Sequence, residues 1–178
     1  MTPSKKKLRP FRTFLIILIA GIIIGCLVKF FMLDFIRTSG KSMSPTLSDN
    51  EIICINKMAY GIINPNYQNF IIQWKKPERN DIVIFLRNNK IVVKRCLFIE
   101  GDSLEILSDN YYSLKYFLKA NEQCLPITKE QAQWLKDYSE VPEGFVFVAG
   151  DNLEQSIDSR DYGFVSIKNI TGKVMGKD

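Results

Sequence analysis

The fold is decided by the stretch DIVIFLRNNKIVVKRCLFI, residues 81–99. It contains two runs of mostly β-branched and aromatic residues, Asp81–Leu86 and Lys90–Ile99, and such runs favour β-strands. Asn88 and Asn89 lie between the runs, and asparagine tolerates the backbone conformations of tight turns. The stretch therefore predicts a β-hairpin.

Short apolar segments on both sides of this hairpin have the same character. Residues Glu51–Asn56 favour one strand, and Phe145–Val148 favours another that is stopped by the turn-forming residues 150–152. Short strands separated by polar turns are typical of a β-dominated domain. The expected fold class is mostly β.

Residues 103–140 are less regular and predict a small α/β insertion on this scaffold. Thr128 followed by Gln131 fits a capping box, in which each side chain satisfies a backbone N–H at the start of a helix. One side of the short helix that follows would carry Ala132, Trp134, Leu135 and Tyr138.

The N-terminal region has the composition of a membrane anchor. No charged residue occurs from Thr13 to Val28, and the apolar character continues past Lys29 to Leu33. As a helix, these residues would reach about 31 Å, which is enough to cross the hydrocarbon core of a bilayer. We predict a transmembrane anchor at residues 13–36, with the amine of Lys29 extended to the interface.

The charge distribution predicts the orientation of this anchor. The formal net charge is +5, and the basic residues before the anchor supply all of it, because the rest of the chain has 19 basic and 19 acidic residues. A basic tail beside an apolar segment is a positive-inside signal, so we expect residues 1–12 in the cytoplasm and 37–178 outside. The balance elsewhere argues against a nucleic-acid partner. The tail residues are Lys5, Lys6, Lys7, Arg9 and Arg12.

Two other N-terminal signals are alternatives. Thr38 and Gly40 have the small-residue spacing of a secretory cleavage site, and residues 23–26 end in Cys26 as a lipoprotein signal would. A retained anchor is favoured because the apolar run continues past Cys26. Cleavage after Gly40 would also leave Ser42 as the second residue of a new N-terminus.

Cysteine and histidine usage limits the available chemistry. Cys54, Cys96 and Cys124 follow the predicted anchor, and none has metal-ligand spacing, so isolated thiols are expected. The chain contains no histidine. We therefore predict neither a metal nor a cofactor.

Ser42 lies in a segment that could carry a nucleophile. It begins the stretch Ser42-Met43-Ser44-Pro45-Thr46-Leu47, shortly after the apolar region ends. A serine hydroxyl needs a base, and without histidine that base is a lysine amine, a carboxylate or a terminal amine. A polar linker is the alternative interpretation of this composition.

Lys94 is the candidate base. In a strand over 90–99 its side chain shares a face with Val92, Cys96 and Phe98. Burial among apolar neighbours disfavours the ammonium form and would lower the pKa from about 10.4, which suits a general base near neutral pH. The alternative is an edge-strand lysine that discourages aggregation. A third polar segment, residues 150–160, indicates by itself only a surface turn.

Taken together, four segments resemble those of bacterial type I signal peptidases, the membrane-anchored Ser-Lys proteases that remove signal peptides. The matches are residues 42–47 continuing to 56–61, residues 81–85, residues 93–95 with 101–102, and residues 150–160. The resemblance covers the anchor and most of the outer domain except residues 103–140. It implies a signal-peptidase-like β domain.

The resemblance also implies roles for individual residues. Ser42 would be the nucleophile and Lys94 the base, with Ser156 positioning the amine. Asp158 and Arg160 would brace the site, and Asp151 would support it. Some family members have a hydroxyl two residues before the nucleophile as a second oxyanion donor, and here that position is Gly40. Substrate would contact Met43, Val93 and the strand with Asp81, Ile82, Val83 and Ile84.

The implied substrates are exported preproteins with Ala-X-Ala-like cleavage sites, and the implied location is the bacterial cytoplasmic membrane. The lipid bilayer would be a second partner, with Phe70, Ile71, Ile72 and Trp74 in its interface. The nearest alternative is a peptidase dedicated to one exported substrate, such as a conjugative pilin. A self-cleaving Ser-Lys repressor is less favoured, and a catalytically silent membrane-bound binding module is the alternative from another class.

Overall fold

A computed structural model describes residues 8–64, 70–109 and 115–177. Tail residues Lys5, Lys6 and Lys7 therefore lie outside the described residues. The helices are α1 (Leu8–Phe31), α2 (Lys129–Leu135) and α3 (Ser159–Tyr162), with a 3-10 turn at Ile167–Asn169. The strands are β1 (Leu33–Arg37), β2 (Ile52–Asn56), β3 (Gly61–Ile63), β4 (Phe70–Gln73), β5 (Ile82–Arg87), β6 (Lys90–Ile99), β7 (Glu105–Asp109), β8 (Lys115–Ala120), β9 (Gln123–Ile127), β10 (Phe145–Ala149), β11 (Val165–Ser166) and β12 (Ile170–Val174).

Helix α1 corresponds to the predicted anchor but ends earlier than predicted. Its stretch Pro10–Lys29 is long and apolar enough to cross a membrane, and its side chains are exposed. The predicted boundary at Ile36 is wrong, because β1 already begins at Leu33 and pairs with β2, with Ile36 opposite Ile53. Residues 33–36 therefore belong to the sheet. This leaves a single residue between the helix and the first strand.

The main sheet is antiparallel and has seven strands in the order β1-β2-β12-β5-β6-β10-β11. Its centre is the predicted β5–β6 hairpin, which runs in register from Ile82↔Arg95 to Arg87↔Lys90. Asn88 and Asn89 have φ values of 50° and 59°, as a two-residue turn with two left-handed positions requires. The hairpin prediction and the mostly β fold class are confirmed.

The insertion forms its own three-stranded sheet, β7-β8-β9, followed by α2. The capping box of Thr128 and Gln131 is confirmed at the start of α2. The prediction that Tyr138 lies on this helix is wrong, since α2 ends at Leu135 and the chain turns to pair residue 140 with Ser103. The Tyr138 ring instead packs edge-on against Phe164, with ring centroids 5.0 Å apart.

The two sheets share an apolar core in which Phe147 of β10 is central. Its side chain is fully buried and lies 5.3 Å from the Phe98 ring, measured between centroids. The cluster also contains Leu118, Leu125, Leu135 and Val141, which come from the insertion and the segment after it. This packing fixes the end of β10, where the loop of residues 150–158 begins.

Replacing Phe147 by alanine should therefore lower the free energy of unfolding by about 3–5 kcal/mol, because the change removes a fully buried ring and leaves a cavity. Phe145, on the same strand but 37% exposed, is the matched control. Phe145→Ala should cost less than about 1.5 kcal/mol. Urea unfolding of the full chain in detergent, followed by tryptophan fluorescence, measures both, and equal losses would contradict the assignment of the core.

Candidate active site

Ser42 and Lys94 line one open cleft of about 420 Å³. One wall is the end of β1 with residues 38–43, and the other is the first half of β6, residues 91–94. Gln155 and Ile157 extend into the cleft from the loop that follows β10. The cleft therefore brings together three of the segments that the sequence marked as chemically interesting.

The Ser42 segment is held by the sheet beneath it. Met43 and Leu47 are buried in an apolar cluster with residues of β2, β5 and β12, and the Leu47 N–H donates to the Met43 carbonyl at 2.8 Å. The Ser42 carbonyl accepts from the Asn152 N–H at 3.0 Å. Ser42 itself is half-buried. An ordinary polar linker would have no such anchoring, so the linker interpretation does not fit the structure.

Lys94 lies on β6, an inner strand of the sheet, with its side chain buried. Strand β6 pairs with β5 from Lys90 to Arg95 and with β10 from Arg95 to Ile99. The Lys94 side chain is only 4% exposed, on the same face as the buried residues Cys96 and Phe98, so the edge-strand interpretation is wrong. Among the described residues no carboxylate lies within ion-pairing distance of its amine.

Burial is the main cause that lowers the pKa of Lys94 below the ordinary lysine value. The charges around it act in both directions: Asp158, Asp151 and Asp161 raise the pKa, and Arg160 lowers it. The net direction is downward because the cost of desolvating an ammonium group exceeds the attraction of these carboxylates. A neutral amine in this position can accept a proton.

The loop after β10 is organised around the carboxylate of Asp158, which is completely buried. Its oxygens accept from the Ser156 hydroxyl at 2.6 Å, from the Gly150 N–H at 3.0 Å and from Arg160 Nε and Nη2 at 2.9 Å each. Burial opposes ionisation, but the hydrogen bonds from Arg160, Ser156 and Gly150 outweigh it and lower the pKa of Asp158. The predicted pairing of Asp158 with Arg160 is confirmed.

Ser156 has a defined hydrogen-bond role in this network. Its hydroxyl donates to Asp158 and accepts from the Gly150 N–H at 3.1 Å. Because the hydroxyl proton is committed to the carboxylate, the remaining lone pair is the only group that Ser156 can offer a neutral amine. Ser156 could therefore orient Lys94 only as an acceptor.

Asp151 and Arg95 connect the loop to the Ser42 segment, residues 42–47. Arg95 donates to both Asp151 oxygens at 2.8 Å, and its Nη2 lies 3.3 Å from Thr46 Oγ1. Burial opposes ionisation of Asp151, yet the hydrogen bonds from Arg95 and Thr46 lower its pKa. Sequence reasoning missed Arg95, although a charged residue next to Lys94 in the middle of a predicted strand was a signal that it has a buried partner.

Gly150 is required where the loop passes the Ser42 segment. A Cβ atom at this position would lie 2.3 Å from both the Ser42 carbonyl oxygen and Ser156 Oγ, closer than atoms can approach. The sequence suggested only that this glycine stops a strand. Its larger effect is to let the loop backbone reach Ser42.

The predicted substrate-contacting residues of the β5 segment, residues 81–84, do not line the cleft. Both edges of β5 are occupied, by β12 and β6, and Ile82, Val83 and Ile84 are buried. Asp81 is also buried and accepts from the Tyr60 hydroxyl at 2.7 Å and the Lys173 amine at 2.5 Å. Of the predicted substrate-binding residues, Met43 and Val93 do line the cleft. On β6 and the loop after β10, the sequence missed the lining residues Ile91, Val92, Gln155 and Ile157.

The family model described as signal peptidase, peptidase S26, matches residues 11–176. This chain belongs to the signal peptidase family. Signal peptidase I of Bacillus caldolyticus is 30% identical over 162 residues, covering 83% of this chain and 80% of that protein. Signal peptidase I of Buchnera aphidicola subsp. Baizongia pistaciae is 27% identical over 241 residues, covering 97% and 76%.

A crystal structure of a signal peptidase I from Enterococcus faecalis is 30% identical, covers 56% of this chain and 97% of that one, and superposes with a TM-score of 0.39. Membership of the signal peptidase family makes the protein a serine peptidase and assigns it to signal-peptide removal. Its described residues contain no cluster of metal-binding side chains.

For this signal peptidase, Asp158→Ala should lower the free energy of unfolding by about 3–5 kcal/mol, because the Arg160 guanidinium would stay buried without its partner. Glu154→Ala is the matched control: it removes an exposed carboxylate from the same loop and should change stability by less than about 0.5 kcal/mol. Urea unfolding of the full chain measures both values. A loss at Asp158 no larger than at Glu154 would show that the network does not hold the loop.

Proposed function

We propose that the protein is a membrane-anchored endopeptidase that removes signal peptides from exported preproteins with a Ser42–Lys94 dyad. The observation that carries the proposal is the meeting of a half-buried serine and a desolvated lysine in one cleft. In a chain without histidine, a neutral lysine amine is a base that can activate a serine hydroxyl. In this proposal Ser156 would accept an N–H of that amine, while Asp158, Arg160 and Asp151 hold the loop.

Acylation begins with a proton transfer from Ser42 to Lys94. The Lys94 amine takes the proton of the Ser42 hydroxyl as the oxygen attacks the scissile carbonyl. The Ser42 N–H donates to the developing oxyanion. The Lys94 ammonium then gives its proton to the departing amine, which leaves an acyl ester on Ser42 and a neutral lysine. That lysine next activates a water molecule that hydrolyses the ester.

A second oxyanion donor has to come from outside the Gly40 backbone. The Gly40 N–H already donates to Asp49 Oδ1 at 2.8 Å, and glycine has no hydroxyl to offer. Ser39 is exposed and lines the cleft one residue earlier. Its hydroxyl is the nearest side chain of suitable chemistry in the segment before Ser42.

Substrate is bound as an extended strand between two unpaired strand edges. Strand β1 ends the sheet on one side, and the ladder between β6 and β10 stops at Arg95, so residues 91–93 have no partner there among the described strands. A peptide in the cleft can pair its main chain with both edges. Met43 and Val93 line the cleft beneath it, and we assign to them the selection of small residues in an Ala-X-Ala-like site.

The bilayer is the second partner of this enzyme. Residues 13–31 span the cytoplasmic membrane of a bacterium, with the basic tail inside and residues 37–178 outside. Phe35, Ile52, Ile71 and Trp74 are each more than half exposed, and apolar side chains of this size favour contact with lipid. The site would thus work at the membrane surface, where a preprotein emerges.

Cleavage of a preprotein with an Ala-X-Ala site tests the dyad. Wild-type protein in detergent should cut after the second alanine, and Ser42→Ala and Lys94→Ala should each lower kcat by at least about 1,000-fold. Ser48→Ala and Lys90→Ala, two exposed positions in the same segments, should retain activity. Mass spectrometry of the products locates the cut.

If Ser42→Ala retained the wild-type rate, the assignment of Ser42 as the nucleophile would be refuted. A folded wild-type protein that cuts no such site would favour either a peptidase dedicated to one substrate or a binding module.

The pH dependence of cleavage tests the base. Because only the neutral amine accepts a proton, kcat/KM should rise with pH through the pKa of Lys94, at values below the ordinary 10.4 or so. Asp161→Asn removes a charge that favours the ammonium form, so the rise should move to lower pH. Glu154→Gln, in the same loop, should not move it. A rise centred at or above the ordinary lysine value would contradict a desolvated base.

A further inference from the structure

The loop between the paired residues Ser156 and Asp158 exposes one apolar side chain to the cleft. Ile157 is 71% exposed, although both of its neighbours are buried, and it lines the cleft with Gln155. Ile91, at the far end of the same cleft, is 58% exposed. Nothing in the proposed acylation steps uses Ile157, so its placement at the mouth of the site needs another explanation.

The two faces of β6 present different side chains to a bound peptide. Val93 packs on the face of the cluster that contains Met43, whereas Val92 packs on the opposite face, which is also the face of Lys94. The chain that follows Ile157 lies on the Lys94 face, because Tyr162 of α3 packs against the same apolar cluster as Val92. A strand added to β6 shares its faces, so successive peptide side chains alternate between the two.

We infer that Ile157 contacts the substrate side chain that lies between the two small residues of the cleavage site and selects an apolar residue there. This rests on the proposed function and deepens it. The two alanines of Ala-X-Ala both project toward Met43 and Val93, so the side chain of X projects to the other face. There it meets Ile157 and Val92, and both surfaces lose contact with water.

The expected preference is modest because Ile157 forms one wall and not a closed pocket. A leucine at X hides part of its side chain against Ile157, whereas a serine gains nothing from an apolar wall and loses hydration. Removing this amount of apolar surface from water corresponds to about a three- to tenfold preference for leucine in kcat/KM. A contact made equally in the bound state and in the transition state acts through KM.

The test compares two preproteins that differ only at X, leucine or serine, using the full chain in detergent micelles. Wild-type protein should prefer leucine by about three- to tenfold, through a lower KM. Ile157→Ser should bring the ratio close to one by raising the KM for the leucine substrate. Glu154→Ala, exposed in the same loop but outside the cleft, should keep the wild-type ratio.

Three results would overturn the inference: a wild-type ratio of one, an unchanged ratio in Ile157→Ser, or an equal loss of kcat for both substrates, which indicates a disturbed loop. Failure of wild-type protein to cut either substrate would instead mean that the proposed function has failed. Cleavage without selectivity at X leaves the proposed function standing and removes only the role of Ile157.

Discussion

Desolvation of the Lys94 amine is the constraint on which the rest of the site depends. The side chain is 4% exposed on a strand inside the sheet, and burial lowers its pKa. A close carboxylate would restore the ammonium form and remove the base. The charge of Asp158 raises the pKa of Lys94 through space, but no ion pair forms between them. The Asp158 oxygens instead accept hydrogen bonds from Arg160, Ser156 and Gly150. Asp158 and Asp151 are thus paired with Arg160 and Arg95, and neither forms an ion pair with the Lys94 amine.

Two ion pairs hold the loop against the strands without using Lys94. Asp158 with Arg160 closes the loop on itself, and Asp151 with Arg95 fastens its beginning to β6. Breaking a buried pair leaves a charge without compensation, so each pair fixes geometry more than it adds stability. Arg95 also reaches Thr46, which links the loop to the segment that carries the nucleophile. Positions far apart in the chain are thereby kept at fixed places around one cleft.

Local pattern was enough to predict the β5–β6 hairpin, the capping box of α2 and the face of Lys94, because period-two alternation and turn chemistry act over a few residues. What the sequence could not supply was long-range pairing. The strand order alone determines that β5 is buried on both edges, and it gives the unpaired edge to residues 91–93 instead. The roles of Arg95 and Gly150 were missed for the same reason. Arg95 pairs with Asp151, 56 residues later, and Gly150 packs against the backbone of Ser42, which is also distant in sequence. The predicted end of the anchor was wrong for a related reason. An apolar residue such as Ile36 fits both a membrane helix and an edge strand, so composition alone did not separate the two.

In the proposed binding mode, a cleft between two strand edges lets one site bind preproteins of different sequence and still cut at a defined position. Main-chain hydrogen bonds to β1 and β6 are the same for any extended peptide, so they supply binding without sequence preference. Selection must then come from side chains on the two faces of the added strand. On one face Met43 and Val93 line the cleft, and in the proposed binding mode they would select small residues by excluding larger ones, without any special affinity for alanine. On the other face the wall formed by Ile157 is open and apolar, so it can favour some substrates in kcat/KM without excluding the others. A broad enzyme and a defined cleavage position are therefore compatible in one geometry.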